Sequence, residues 1–502
     1  MARTNVFTYS TFIPHPRERV FEWFQRPGAI RRLTPAIFSE VSAEPSNGLH
    51  PGSEAILRLK LPGPLRGLGS IKWVAQHSEF DAPLRVVDMQ KRGPFQYWKH
   101  VHEFQTVEGG TQMLDTVTYQ ALPIVPVPAT VTSFVNKKLK RLFAYRARQI
   151  CADIDFHTRY PQHRSIGITG AGGLVGSELR AFLESGGHTV HVLPRPNERI
   201  DMELLRQCDA VVHLAGEPIF GRFTHEHQRK VMDSRVEGTR NLAQAMATIA
   251  HDVAKNMATS TTGALAPHDT PSSATTIFGV KHTPAQSAGP QQPIEGNHPP
   301  SALHKPVLIS ASAAGYYGAN PGDKVLSEHD SSGQDFLSEV CLAWEDACQP
   351  AQDAGIRVAN MRTGIVQAAG GGQLGTLLPL FELGVGGRIS TGKQWVPWIG
   401  LDDLVRLYAF AIFEEDVTGP LNAVAPHPVR NHDYTKIVGT IVRRPTVFPV
   451  PCVAPALLLG SQGAQEFACA GQRLDASTIE QLGFTFTYPQ LEGALRHELC
   501  SG

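Results

Sequence analysis

Residues 165–176 read Ser-Ile-Gly-Ile-Thr-Gly-Ala-Gly-Gly-Leu-Val-Gly, a short apolar strand running into a turn with glycines at 170, 173 and 176. Residues of these types at this spacing suit the binding of a pyrophosphate. Gly170 lets the chain turn tightly off the strand, Gly173 lets backbone N–H groups approach the phosphates, and Gly176 lets the next helix pack close. That helix, expected over 177–185, would turn its positive N-terminal end toward the anion. Thr169, Gly170, Gly172, Gly173, Leu174, Val175 and Gly176 are therefore candidate contacts of a dinucleotide. A glycine-rich turn can also be purely structural. Context favours the cofactor: Ile166 and Ile168 form a strand before the turn, Leu174, Val175, Leu179, Phe182 and Leu183 recur at helical spacing after it, and a second strand is expected over 189–193.

The end of that second strand bears on which dinucleotide binds. An NAD(H) site usually places Asp or Glu there to accept hydrogen bonds from the ribose 2′-OH. Here the chain reads Val-His-Val-Leu-Pro-Arg-Pro, and the guanidinium of Arg195 stands where it can clamp a 2′-phosphate. NADP(H) is expected over NAD(H), the alternative being a solvated surface arginine.

The elements that must position these residues come from the whole chain. Its 502 residues exceed one typical domain. Net charge is zero with no block of like charge, which argues against nucleic acid or an anionic membrane as partner. No apolar run reaches the length of a membrane span. The seven cysteines are scattered singly, without metal-ligand spacing, and read as reduced thiols in a cytoplasmic protein.

Residues 1–155 alternate as strands over 6–12, 55–61, 70–77, 85–92, 98–107 and 112–121. A helical stripe through Val131, Phe134, Val135, Lys138, Leu142 and Tyr145 closes them. With Pro14 to Phe24 and Gly93 to Phe104, this α+β segment resembles the START-like, polyketide-cyclase-like domains. The resemblance implies a helix-grip fold and a cavity for an apolar ligand, with Phe24, Trp73, Phe95, Trp98 and Phe104 as lining candidates or ordinary core. His100 and His102 share one face of a strand but show no third ligand, and are read as plain sheet residues.

From Arg164 strands and helices alternate, which implies a doubly wound parallel α/β sheet. Five blocks in order, 209–218, 230–242, 307–318, 357–366 and 398–404, resemble the epimerase-like extended short-chain dehydrogenase/reductases. The resemblance implies a Rossmann domain over 164–446. In it Leu214, Ala215 and Gly216 pass under the cofactor, Arg235 lies on the helix behind the nicotinamide, and Arg362 ends a strand beside it. Residues 447–502, with Gly483-Phe484-Thr485-Phe486-Thr487-Tyr488-Pro489, resemble the small helical C-terminal domain of that branch. Residues 257–304 are rich in Ser, Thr, Pro, Gly, Gln and His and read as a flexible insertion.

Hydride-transferring members of the superfamily pair a Tyr with a Lys four residues on, so that the ammonium eases proton exchange by the phenol. Here Leu337 and Cys341 stand at those positions when Glu345 is aligned with the glutamate common on this helix. Ser312 keeps the superfamily serine position, and Tyr316, Tyr317 and Glu339 are substitute proton-transfer candidates. The function implied is an NADP(H)-dependent oxidoreductase or epimerase acting on a small molecule. The missing pair leaves open a non-catalytic, nucleotide-sensing protein of the cell-division-inhibitor kind.

Overall fold

The period-two alternation of the first 121 residues becomes seven strands in the computed structural model, which describes residues 4–121, 129–262 and 306–501. They are β1 (Asn5–Ile13), β2 (Ser39–Ala43), β3 (Glu54–Lys60), β4 (Ser70–Asp81), β5 (Arg85–Arg92), β6 (Phe95–Val107) and β7 (Gly110–Ala121). They form one antiparallel sheet in the order β1-β7-β6-β5-β4-β3-β2. The short, polar β2 is the strand that alternation did not reveal. Helices α1 (Arg17–Gln25) and α2 (Ala29–Arg32) follow β1, and α3 (Ala129–Arg159) follows β7. On α3, Phe143 stacks on Phe7 and Tyr9 with ring centroids 5.8 Å apart, and Leu139, Ile150 and Ile154 are buried against the sheet.

The aromatic candidates pack on one another in two groups. Phe24 meets Phe104 at 5.3 Å, and Trp73 meets Trp98 at 4.8 Å and Phe95 at 5.9 Å. His100 and His102, read from sequence as plain sheet residues, have carboxylate neighbours on both flanking strands. Asp88 of β5 stands opposite His100, and Asp115 of β7 opposite His102. No sequence spacing shows such cross-strand neighbours, because register is set by the pairing of whole strands.

The second half opens with β8 (Ser165–Thr169), α4 (Leu174–Ser185), β9 (Thr189–Leu193), α5 (Met202–Arg206), β10 (Ala210–His213) and α6 (His225–Thr262). It continues through β11 (Val307–Ala313), β12 (Val325–Leu326), α7 (Phe336–Asp346), α8 (Gln349–Asp353), β13 (Val358–Thr363), β14 (Ile365–Gln367) and α9 (Gly372–Glu382). After β15 (Trp395–Val396) and β16 (Trp398–Gly400) come α10 (Leu401–Phe413), β17 (Gly419–Ala423), β18 (Val429–Arg430) and α11 (Asn431–Val442). Six of these strands form an all-parallel sheet ordered β17-β13-β11-β10-β8-β9. Near-continuous Val, Ile and Ala in β10 and β11 fit strands buried on both faces. Helix α6 takes up residues 257–262, which composition had placed in the insertion; residues 263–304 lie outside the described residues.

The last segment holds α12 (Val453–Gly463), β19 (Arg473–Leu474), α13 (Ser477–Gln481) and α14 (Leu491–Glu498). Phe484 and Phe486 are buried in the same core as the parallel sheet. Cys452 and Cys469 form a disulfide, which corrects their reading as reduced thiols; the fold of α12 returns Cys469 to Cys452 across a sequence separation of 17. Among the described residues no helix is long and apolar enough to cross a membrane.

A buried ionic cluster joins the two halves. Arg32 of α2 donates to Asp153 of α3 at 2.8 and 3.1 Å and to Asp402 of α10 at 2.6 Å. Arg406 of α10 reaches the same Asp153 at 3.2 Å, and His497 of α14 lies 2.8 Å from Asp402.

Candidate functional site

The chain leaves β8 for β9 on one side and returns to β10 on the other, so a crevice opens at the carboxyl ends of β8 and β10, where dinucleotides bind in open α/β sheets. The glycine turn lines it. Gly170 has φ +71°, and a Cβ there would stand 2.8 Å from the carbonyl carbon of Leu214. A Cβ on Gly176 would stand 2.3 Å from the carbonyl oxygen of Gly170. Gly173 is the N-cap of α4, and no side chain caps the helix, so the first amides at Leu174 and Val175 are not held by a side-chain cap. Gly172 differs from its neighbours, since a Cβ there would meet nothing within 4 Å.

Thr169 ties the crevice together. Its Oγ1 accepts from the N–H groups of Leu214 at 3.2 Å and Ala215 at 3.3 Å and lies 2.7 Å from Nδ1 of His213. Sequence reading missed His213; burial, helped by Arg235, pushes its pKa down to about 4, so the imidazole is neutral. Arg235 stands over Gly216, donates to the carbonyls of Glu217 and Val231 at 2.9 and 3.2 Å, and lies 5.0 Å from the Trp344 ring. Burial lowers its pKa to about 10, which leaves it cationic at neutral pH. Arg195 follows β9 with its side chain 62% exposed, 3.7 Å from Glu198. Arg199 stands one turn further on, its N–H donating to the Arg195 carbonyl, and is a second cation that sequence reading did not single out.

Further along the same sheet edge, Ser312 of β11, Arg362 of β13 and Asn422 of β17 stand in one cross-strand row. Ser312 donates to Oε1 of Glu345 at 2.6 Å, while Arg362 makes two parallel bonds of 2.9 Å to the same carboxylate. Arg362 also donates to the Tyr317 hydroxyl at 3.0 Å, and that hydroxyl donates to Asn422 at 2.6 Å. Burial pushes the Tyr317 phenol up to about 12. The Tyr316 ring lies over the Arg362 guanidinium, 3.4 Å from its centroid. The structure thus brings Ser312, Tyr316, Tyr317 and Arg362 together. Glu339 is not with them and lies exposed on α7. Leu337 and Cys341 are buried, and burial raises the Cys341 thiol to about 12, so neither exchanges protons at neutral pH.

Two family models match the chain: "NAD dependent epimerase/dehydratase family" over 166–284 and "Domain of unknown function (DUF1731)" over 450–498. An epimerase family protein of Mycobacterium bovis is 33% identical over 345 residues, covering 66% of this chain and 96% of that protein. A solved nucleoside-diphosphate sugar epimerase from Corynebacterium glutamicum is 33% identical, with a TM-score of 0.71 over 98% of this chain and 90% of its own. The human epimerase family protein SDR39U1 (isoform 2), solved with NADPH, is 26% identical, with a TM-score of 0.52 over 67% of this chain and 99% of its own.

Proposed function

We propose that this chain, which belongs to the NAD-dependent epimerase/dehydratase family, is an NADP(H)-dependent oxidoreductase or epimerase acting on a small molecule. The observation that carries the reading is the glycine cradle at the carboxyl ends of β8 and β10. Side chains at 170 and 176 would fill it, so the residues present fit a dinucleotide pyrophosphate. When bound, a nicotinamide dinucleotide supplies or accepts a hydride.

The residues of the chain take the following roles in this reading. Arg195, with Arg199 beside it, meets the 2′-phosphate, and Arg235 holds the Gly216–Glu217 turn under the cofactor. Ser312 donates to Glu345 and keeps acceptor capacity for a substrate hydroxyl. The proton relay falls to Tyr316, because the Tyr317 hydroxyl is committed to Asn422 and Arg362. Residues 1–155 form a ligand-binding unit for an apolar molecule, and residues 447–502 cap the substrate. The NADPH-bound human relative supports the choice of dinucleotide. The buried Leu337 and Cys341 favour a second reading, in which the nucleotide is sensed and no hydride moves.

Fluorescence titration with NADPH and NADH tests the cofactor assignment. Arg195→Ala is expected to weaken NADPH about tenfold, the effect of losing one charge-assisted hydrogen bond, and to leave NADH unchanged. An unaltered NADPH affinity removes Arg195 from the site. Ser312→Ala is expected to lower turnover about tenfold at unchanged NADPH affinity, on the scale of losing one hydrogen bond to the substrate. Cofactor oxidation with no member of a nucleotide-sugar and carbonyl panel would establish the sensing role instead.

A further inference from the structure

We propose that Asp88, His100 and His102, on the inner side of the N-terminal sheet, bind one divalent transition-metal ion, with Asp115 as the carboxylate that orients both histidines. His100 and His102 are two residues apart on β6 and so share a face, and their flanking strands bring one carboxylate from each side. Oδ2 of Asp88 lies 3.3 Å from Nδ1 of His100 and 3.7 Å from Nε2 of His102, and one ligand atom from each of the three residues lies within 4.8 Å of the others. Ligand atoms bonded at about 2.0–2.1 Å in a tetrahedral zinc-type site stand roughly 3.3 Å apart.

The other nitrogen of each ring faces the opposite carboxylate. Nε2 of His100 and Nδ1 of His102 lie 3.0 and 2.7 Å from the same Oδ1 of Asp115. A ligating histidine characteristically donates its second ring N–H to such a carboxylate. His100 hydrogen-bonds Asp115, whereas Nδ1 of His102, close to the same oxygen, is out of line for a hydrogen bond and has no partner among the described residues. With the N–H of each ring turned toward Asp115, two imidazole lone pairs and a carboxylate oxygen face the Asp88 side, a donor set that suits a cation. Asp115 is fully buried, its Oδ1 is bonded by His100, and its Oδ2 has no hydrogen-bond partner among the described residues. His77 of β4, opposite Asp88, Tyr9 of β1, opposite Asp115, and Arg146 of α3 are further titratable or charged groups facing the box.

The Asp88 and His102 side chains each keep 14% exposure, against 6% for His100 and 1% for Asp115. An ion would therefore enter, and keep an open coordination position, on the Asp88–His102 edge. Two imidazoles and one carboxylate suit Zn2+, Fe2+ or Co2+ rather than Mg2+ or Ca2+.

The test is titration of chelator-treated full-length protein with Co2+, followed by visible absorption. One ion per chain is expected, with Asp88→Asn and His102→Gln each weakening binding at least 100-fold. Asp115→Asn, a positioning change, should weaken it about 10- to 100-fold while leaving the absorption envelope in place. NADPH affinity, read on the same samples, reports that each variant is folded. No absorbance at saturating Co2+, or absorbance that survives both ligand substitutions, overturns the assignment. Should the variants not fold, zinc-edge X-ray absorption on wild-type protein decides. Two imidazoles with oxygen support the site, and sulfur ligation or fewer than two imidazoles overturns it.

Discussion

Gly176→Val is expected to weaken NADPH binding at least 100-fold. The added Cβ falls 2.3 Å from the Gly170 carbonyl oxygen and 2.9 Å from the Ala171 Cα. Both are backbone atoms of the cradle, so no side-chain rotation relieves the contact; α4 must withdraw or the turn must shift. Overpacking of this kind costs about 1–3 kcal/mol in its own right. It also moves the amides at the start of α4 away from the phosphates, and each hydrogen bond to a charged group is worth about 1.5–3 kcal/mol. Losing two of them amounts to 100-fold or more. Gly172→Ala is the matched control. A Cβ there meets nothing within 4 Å and φ is not in the left-handed region, so NADPH affinity should stay within about threefold. Fluorescence titration of both variants, with thermal unfolding to confirm the fold, compares them directly. Equal damage from both substitutions would mean that the turn does not cradle the cofactor as described.

That contrast marks where sequence reasoning succeeds. Residues 165–193 form a βαβ unit whose contacts are local, so glycine spacing and apolar periodicity suffice to place the cradle. The same holds for the six alternating strands of the N-terminal half. What sequence does not disclose is pairing across strands or between halves. Glu345 reads as a helix landmark, yet its carboxylate holds both Ser312 and Arg362. Asp88 and Asp115 lie 12 and 13 residues from the histidines they face and carry no pattern until β5, β6 and β7 are in register. Cys452 and Cys469 look like two more scattered cysteines until the fold joins them. Arg32 and Asp153 read as ordinary charged residues of the N-terminal half until the fold sets them against Asp402 and Arg406 of α10.

The junction itself supplies the largest expected effect on stability: Arg32→Ala should destabilise the protein by roughly 3–5 kcal/mol, the usual scale for removing one partner of a buried ion pair. Arg32 is 1% exposed; Asp153 and Asp402, its two nearest carboxylate partners, are 0% and 5% exposed, and Glu178 is a third at 3.5 Å. Without it both aspartates remain buried with Arg406, His497 and Gln149 as their remaining partners. The pH dependence follows from Asp402. Burial works against its carboxylate, but Arg32, followed by His497 and Arg406, outweighs burial and holds its pKa well below the usual carboxylate range. A depressed folded pKa contributes stability that is present above the unfolded value of about 3.9 and is lost as pH falls through the folded one. Removing Arg32 lets burial dominate, so the folded pKa rises above the unfolded value and the folded variant then gains relative stability as pH falls. The deficit of the variant against wild type is therefore largest near pH 7 and narrows toward pH 4. Arg32→Met, which restores apolar volume without charge, should recover little of it, because the loss lies in buried carboxylates deprived of their guanidinium rather than in a cavity. Urea unfolding of the three proteins at both pH values measures this. A pH-independent deficit, or full recovery by methionine, would place the contribution of Arg32 in packing and not in the ionic junction.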